Sequence, residues 1–413
     1  MKRLILMSLA GLLLGVFAGG SALAEVVSQC PSDTDGIDTD LDGDPDNDHV
    51  CYHLSAGDGF VTMADGRLQY MFGFGDATGI PDSMVMMEKM LGAEASGPTI
   101  TARQGRKLFI SLTNVGMITR PDLFDPHTVH FHGFPNAAPY FDGMPDAAIS
   151  INMGATFTYF YDLVEPGTYM YHCHVEASEH MQMGMLGNLY ITPVQDGQTF
   201  EYPAGSGRTY TKFAYNDGDG STGYDVGYPI QITTFDPEFH DASMNVQPLP
   251  FANMHDTYAL LNGRGYPETV DPDPLATDAS EVTGDPEPLL SQKVSSLIEA
   301  RRGERILLRL SSLSTTEFLT LTAQCLTMQV VGKGARILRS RTGQDLYYYT
   351  NSVTLGGGES ADVIIDTEDV PVGTYFLYTT NMNFLSNNTE DFGGAMTEIR
   401  VLSAAKAQKG GAK

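Results

Sequence analysis

The sequence predicts an all-β fold of two tandem sandwich or barrel domains, and three observations carry that prediction. From Pro98 onward, short runs with strand-type alternation are separated by turn residues, as in TITARQGRKLFISLTNVG and GATFTYFYDLVEPGTYMYHCH. No long helical period interrupts them. The same grammar then returns: SLIEARRGERILLRLSSL repeats TITARQGRKLFISLTNV with Gly303 over Gly105, and GGGESADVIIDTEDVPVGTYFLYTT repeats MGATFTYFYDLVEPGTYMYHCH with Gly373-Thr374-Tyr375 over Gly167-Thr168-Tyr169. Self-similarity of this kind marks a duplicated unit.

Residues 1–24 read as a secretory signal peptide: Lys2 and Arg3, an apolar run from Leu4 to Phe17, and the small-residue pattern Ala22-Leu23-Ala24. A membrane anchor is the rival reading, but the run is short of the roughly 20 apolar residues that span a bilayer, and no later stretch approaches that length. The expected location is therefore exported, periplasmic or extracellular, where disulfides persist. Residues 25–58 form an acidic segment in which Cys30 and Cys51 are expected to pair. Within it, Asp38-Thr39-Asp40-Leu41-Asp42-Gly43-Asp44 alternates carboxylates around a glycine as calcium loops do, although His49 stands where an EF-hand has its twelfth-position Glu. Calcium in the Asp38–Asp48 loop and a merely solvated acidic linker both fit this pattern.

The first domain is expected over residues 59–194. Early in it, Met84, Met87 and Leu91, and likewise Met86 and Met90, fall at helical spacing. Core packing is their expected role, with a thioether patch for Cu(I) as the alternative. Residues 195–255, rich in Gly, Asp and Pro, read as a linker. Residues 256–402, opening with TYALLNGRGYPET, read as the second domain, and 403–413 as a disordered tail.

Acidic residues outnumber basic ones 51 to 24, for a formal charge of −27. That balance argues against nucleic acid and anionic membranes as partners, since both are strongly negative. It leaves a cationic redox protein or a metal ion as the fitting electron donor, or an acidity that serves solubility alone.

The chemistry concentrates in HTVHFHG (residues 127–133) and YMYHCHVEASEHMQMGMLGNLYI (residues 169–191), which hold six of the ten histidines. Alternate residues of a strand face one way, so His172 and His174 share a side and Cys173 takes the other. His130 and His132 likewise share a side. A blue-copper centre takes two imidazoles, one thiolate and a weak axial thioether. His127, Cys173, His180 and Met185 supply that set, leaving His130, His132, His172 and His174 for a second metal site one residue away. Cys325, in the apolar run LTLTAQCLTMQVVG, is expected to be a buried, inert thiol.

HTVHFHG and HCHVEASEHMQMGM resemble the copper signatures of the multicopper oxidase family, the laccases and bacterial copper oxidases, and the resemblance extends to Tyr140-Phe141-Asp142-Gly143 and to NGRGYPET. It implies tandem cupredoxin-like Greek-key domains from Gly59 to Leu402 and an exported copper oxidoreductase. It also implies His127, Cys173, His180 and Met185 as type 1 copper ligands, His130 as a type 2 ligand, and His132, His172 and His174 as type 3 ligands. Electrons would pass from the type 1 copper through Cys173, with His172 and His174, to the four-histidine site. Copper nitrite reductases are similar in plan but lack histidines at the places of His130 and His174.

Two features depart from the family pattern. The loop VEASE between cysteine and histidine is longer than in the usual motif. The family's oxygen-reducing cluster uses eight histidines from two facing domains, yet here the second copy reads Leu377-Tyr378-Thr379-Thr380 where Tyr171-His172-Cys173-His174 stood, and runs through AQCLTMQVV where HTVHFHG stood. Three outcomes follow: a homo-oligomer sharing a copper cluster across a two-fold axis; one or two coppers, aided by His240 or His255; or a non-catalytic blue-copper electron carrier or copper-sequestering protein. A carrier has no need of four additional histidines, which favours the oxidoreductase.

Overall fold

The computed structural model describes residues 26–404 except Asn136. The expected signal peptide and residues 405–413 of the expected tail lie outside the described residues.

The first copy is a pair of four-stranded sheets. Strands β1 (His49–Thr62), β2 (Leu68–Asp76), β4 (Lys107–Gly116) and β6 (Thr156–Asp162) make one sheet in the order β2-β1-β4-β6. Strands β3 (Ile100–Arg103), β5 (His130–Phe131), β7 (Gly167–His172) and β8 (Leu186–Thr192) make the other, in the order β3-β8-β7-β5. The β1–β2 connection closes because Gly66 takes a φ of +83°, a conformation that costs glycine little. Leu54, Phe60, Phe72, Leu108, Ile110, Tyr159 and Leu189 fill the space between the sheets and are buried.

The second copy repeats this wiring. The strands that match the first copy are β9 (Val226–Phe235), β10 (Tyr258–Leu261), β11 (Ile298–Arg301), β12 (Arg305–Ser312), β13 (Leu319–Ala323), β14 (Glu359–Asp366), β15 (Gly373–Thr379) and β16 (Met396–Leu402). Further strands are added at its sheet edges, among them Met328–Lys333 beside β14 and Ser352–Leu355 beside β13. The neighbours run β14-β12-β9-β10 in one sheet and β11-β16-β15-β13 in the other. The parallel and antiparallel pairings match as well: β9 lies parallel to β12 as β1 does to β4, and β11 parallel to β16 as β3 does to β8. Its core is separate, built on Ile232, Leu308, Leu321, Val363 and Ile399.

This register corrects several expectations. Strand β1 runs through the boundary expected at residue 58, because its first half pairs with β4. The supposed linker 195–255 contains β9, a central strand of the second domain, so TYALLNG supplies that domain's second strand rather than its first. Polar and Gly-rich flanks hide β9 from a reading by composition. The methionine segment forms a short helix, α1 (Asp82–Glu88), in which only Val85 is fully buried; Met86 and Leu91 pack against the core as expected, but Met87 and Met90 are exposed and do not. Cys325 is exposed rather than buried, at the turn after β13 with φ +58°, where the chain leaves the sheet. The Cys30–Cys51 disulfide forms as expected.

The domains meet over β7. Thr168 Oγ1 donates to Asp362 Oδ1 (2.5 Å) and the Thr168 carbonyl accepts from Ser360 Oγ (2.8 Å). Arg309, buried, lies 3.5 Å from Asp362 Oδ1, 3.1 Å from Thr168 Oγ1 and over the Tyr190 ring. The histidine-bearing strand is thereby fastened to the second domain.

Candidate metal centre

Both histidine segments converge at one end of the first domain. Strand β5 pairs with β7 so that His130 faces His172 and Phe131 faces Tyr171. The Asp142 loop closes on the start of β5 because Gly143 has no Cβ, which would stand 2.1 Å from the Val129 carbonyl. After β7 the chain passes Cys173 and His174 into a short helix, α2 (Ala177–Gln182), which carries His180 and returns through Met185 to β8.

On the inner side of Cys173, three ligand groups cluster. His180 Nδ1 lies 3.1 Å and His127 Nδ1 3.8 Å from Cys173 Sγ, and all three residues are buried. Burial opposes ionisation of the thiol, but the charges and hydrogen bonds of His180 and His127 outweigh it and hold Cys173 well below the usual thiol range. Burial pushes the His127 imidazole down. For His180, burial is overcome by the Cys173 thiolate and by Asp125, which lift it to about 10; Asp125 Oδ2 lies 3.9 Å from His180 Nε2. Met185 belongs to the same buried core; its amide donates to the His180 carbonyl (2.8 Å) and its carbonyl accepts from the Cys173 amide (3.1 Å). A buried thiolate with two imidazole nitrogens turned toward it is a donor set for a soft or borderline metal.

On the outer side, four imidazoles gather. The ring centroids of His130 lie 5.6, 5.4 and 4.9 Å from those of His132, His172 and His174, and His132 and His172 are 4.9 Å apart. His130, His132 and His172 offer ligand atoms within 4.8 Å of one another. His174 stands beside this trio, its amide donating to Thr128 Oγ1.

The tautomers are set by the backbone, as in metal sites whose ligands are oriented by outer-sphere hydrogen bonds. His130 Nδ1 faces the Asp142 carbonyl at 2.5 Å, and His172 Nδ1 faces the Cys173 carbonyl at 2.7 Å. Gly358 of the second domain packs against the His132 ring, where a Cβ on it would stand 2.6 Å from Nδ1. The Nε2 atoms of His132 and His172 are then left facing each other at 2.8 Å. Burial pushes His172 down to about 3 and, with the charge of His130, lowers His132 as well. With its Nδ1 committed to the Cys173 carbonyl, His172 presents its Nε2 lone pair to His132, the face on which a cation would bind.

The register also dates the loss of ligands in the second copy to particular positions. Strand β13 pairs with β15 as β5 does with β7, with Thr322 opposite Tyr378 and Ala323 opposite Leu377. HTVHFHG therefore corresponds to LTLTAQC, not to AQCLTMQVV: His127, His130 and His132 become Leu319, Thr322 and Gln324. Thr379 takes the place of Cys173, and Ala395, whose carbonyl accepts from the Thr379 amide, that of Met185. His240 does not aid the cluster, since both its ring nitrogens face carbonyls, those of Tyr70 (2.6 Å) and Gln182 (2.8 Å). His255 is exposed and in none of the candidate metal groups among the described residues.

Sequence reasoning missed Asp125, Thr128 and Gly358. Only Asp142 was signalled, through YFDG. A cleft of 330 Å³ bordered by His132, Met181, Ser314, Glu317, Phe318 and Gly358 opens onto the histidine cluster between the domains.

Fold and site together define a two-domain cupredoxin-type chain with copper-type donor sets on both sides of Cys173. Comparison with known proteins agrees. Residues 83–196 match the family model for multicopper oxidase. Multicopper oxidase MmcO of Mycobacterium tuberculosis is 34% identical over 110 residues, 26% of this chain and 19% of the relative; L-ascorbate oxidase of Cucumis sativus is 30% identical over 129 residues, 30% of this chain and 20% of the relative. The chain thus spans about a fifth of the length of these curated relatives. Among solved structures, blue copper oxidase from Nitrosomonas europaea has a TM-score of 0.59 at 21% identity, covering 85% of each chain. The multicopper oxidase mgLAC reaches 0.60 at 19%, covering 87% of this chain and 89% of its own. These establish the fold.

Proposed function

We propose that the protein is an exported copper-dependent oxidoreductase of the multicopper oxidase type. The observation that carries the reading is the shared segment at the end of β7: Cys173 turns its thiolate to one donor set while His172 and His174, its neighbours, face the other. Copper, when bound, supplies one-electron redox chemistry at both places. In this reading His127, Cys173, His180 and Met185 hold a type 1 copper, His130 a type 2 copper, and His132, His172 and His174 type 3 copper.

The chain's own residues prepare that chemistry. The His127 and His180 rings keep Cys173 ionised, and burial of all three excludes water. The Asp142 and Cys173 carbonyls aim the Nε2 atoms of His130 and His172 inward, and Gly358 of the second domain packs against the His132 ring. Because the second domain brings this cluster a backbone group and no imidazole, any further histidine ligands come from another copy of the chain, in a homo-oligomer. The acidic surface suits a cationic donor, either a redox protein or a metal ion.

The alternative, a blue-copper electron carrier or copper-sequestering protein, is favoured by one observation: Leu319, Thr322, Gln324 and Thr379 leave the second copy without ligands. Oxygen uptake measured together with copper content and oligomeric state separates the two. Uptake by an oligomer holding more than one copper per chain supports the oxidoreductase; a monomer with one copper per chain and no uptake overturns it.

A further inference from the structure

We propose that the acidic loop between Asp38 and Asp48 is a calcium site that fastens the N-terminal segment to the copper domain, independently of the copper reading. Asp38, Asp40 and Asp48 offer carboxylate oxygens within 4.8 Å of one another. Calcium binds oxygen at about 2.3–2.6 Å, so ligand oxygens on opposite sides of one ion are about 5 Å apart. The trio fits inside that limit.

The second observation is Asp48 itself. Its side chain is fully buried, and while Oδ2 accepts from the Thr39 amide (2.6 Å) and Oγ1 (2.7 Å), Oδ1 is buried with no hydrogen-bond partner. A buried carboxylate oxygen without a donor or cation is costly to leave so. Among the described residues neither Asp38 nor Asp48 has an ion pair with Lys or Arg. The two nearby guanidinium groups are both held by Asp40: Arg106 lies 2.6 Å from Asp40 Oδ2 and 2.9 Å from Asp42 Oδ2, and Arg103 3.7 Å from Asp40 Oδ2. Asp38 and Asp48 are left with no cation of their own, and their charge calls for one. All the donors are hard oxygens, which select calcium or magnesium over copper.

The geometry also answers the missing twelfth-position Glu. Asp48, one residue earlier, turns inward, while His49 turns away and sets its Nδ1 3.0 Å from the Pro31 carbonyl. The loop is already stitched to the β3–β4 turn: Thr39 Oγ1 donates to the Gly105 carbonyl (2.7 Å), Arg103 Nε to the Asp40 carbonyl (3.0 Å) and the Lys107 amide to the Asp48 carbonyl (2.8 Å). An ion here ties together the loop that leads into β1.

The test uses the copper-loaded full chain dialysed into calcium-free buffer, titrated with calcium chloride or magnesium chloride by calorimetry, with thermal melting alongside. The expected result is saturable binding of one calcium per chain, weaker binding of magnesium, and a melting temperature that rises with calcium. Asp48→Asn, and separately the more exposed Asp38→Asn, weaken calcium binding by about tenfold or more and leave the copper absorption unchanged. Absence of saturable calcium binding up to about 10 mM, beyond the range of weak extracellular modules, overturns the proposal. So does wild-type affinity in both variants.

Discussion

His132 Nε2 and His172 Nε2 stand 2.8 Å apart; the other nitrogen of His172 is turned to the Cys173 carbonyl, and the other nitrogen of His132 lies against Gly358 of the second domain. The second domain brings no imidazole to this cluster but packs against one of its rings.

Gly358→Ala tests that contact. The added Cβ would sit 2.6 Å from His132 Nδ1, and the residue's φ of +86° is strained for alanine. Changes to such supporting groups cost about 10–100-fold in metal affinity. Copper titration should show that loss at the four-histidine site alone, with the absorption of the Cys173 site unaltered.

The Arg309–Asp362 pair is buried beneath β7. Removing one partner of a buried pair costs about 3–5 kcal/mol, while replacing both with apolar residues is often neutral. Denaturant unfolding should therefore find Asp362→Ala strongly destabilised. The double change Asp362→Leu with Arg309→Met should recover only part of the loss, because the Thr168 and Tyr215 hydroxyls that donate to Asp362 stay unpaired.

Asp196 carries the pH dependence most open to test. Burial raises its carboxyl to about 6, against 3.8 when unfolded, although its Oδ1 accepts from the Phe213 amide. A raised folded value means that the contribution to stability is full below about 3.8 and is lost as pH rises through about 6. Asp196→Asn keeps the acceptor and removes the charge. It should raise stability at pH 8 by on the order of 1 kcal/mol, less than the full linkage value because the group is partly solvated, and do little near pH 4. Melting curves at the two pH values decide it.

Much of the site was legible because strand geometry is local. Alternation placed Cys173 opposite His172 and His174, and both groupings appear in the structure. The fold class and the duplication were legible for the same reason, since Gly105 and Gly303 mark equivalent turns. What was hidden depended on pairing between distant segments. Strand β9 lies in a polar stretch and is central only because β10 and β12 flank it. The true counterpart of HTVHFHG needed the register of β13 against β15. Cys325 looked like core because its neighbours are apolar, yet it falls where Gly133 turns the first copy, at a left-handed residue facing solvent. Gly358 reaches His132 across 226 residues, beyond any local pattern.

The most direct test of two copper sites joined at one strand is Cys173→Ser, read by absorption and copper content on the same sample. The account predicts that the blue absorption is abolished while copper bound by His130, His132 and His172 remains. Persistence of the blue absorption, or the absence of all other copper from both wild type and variant, would contradict it.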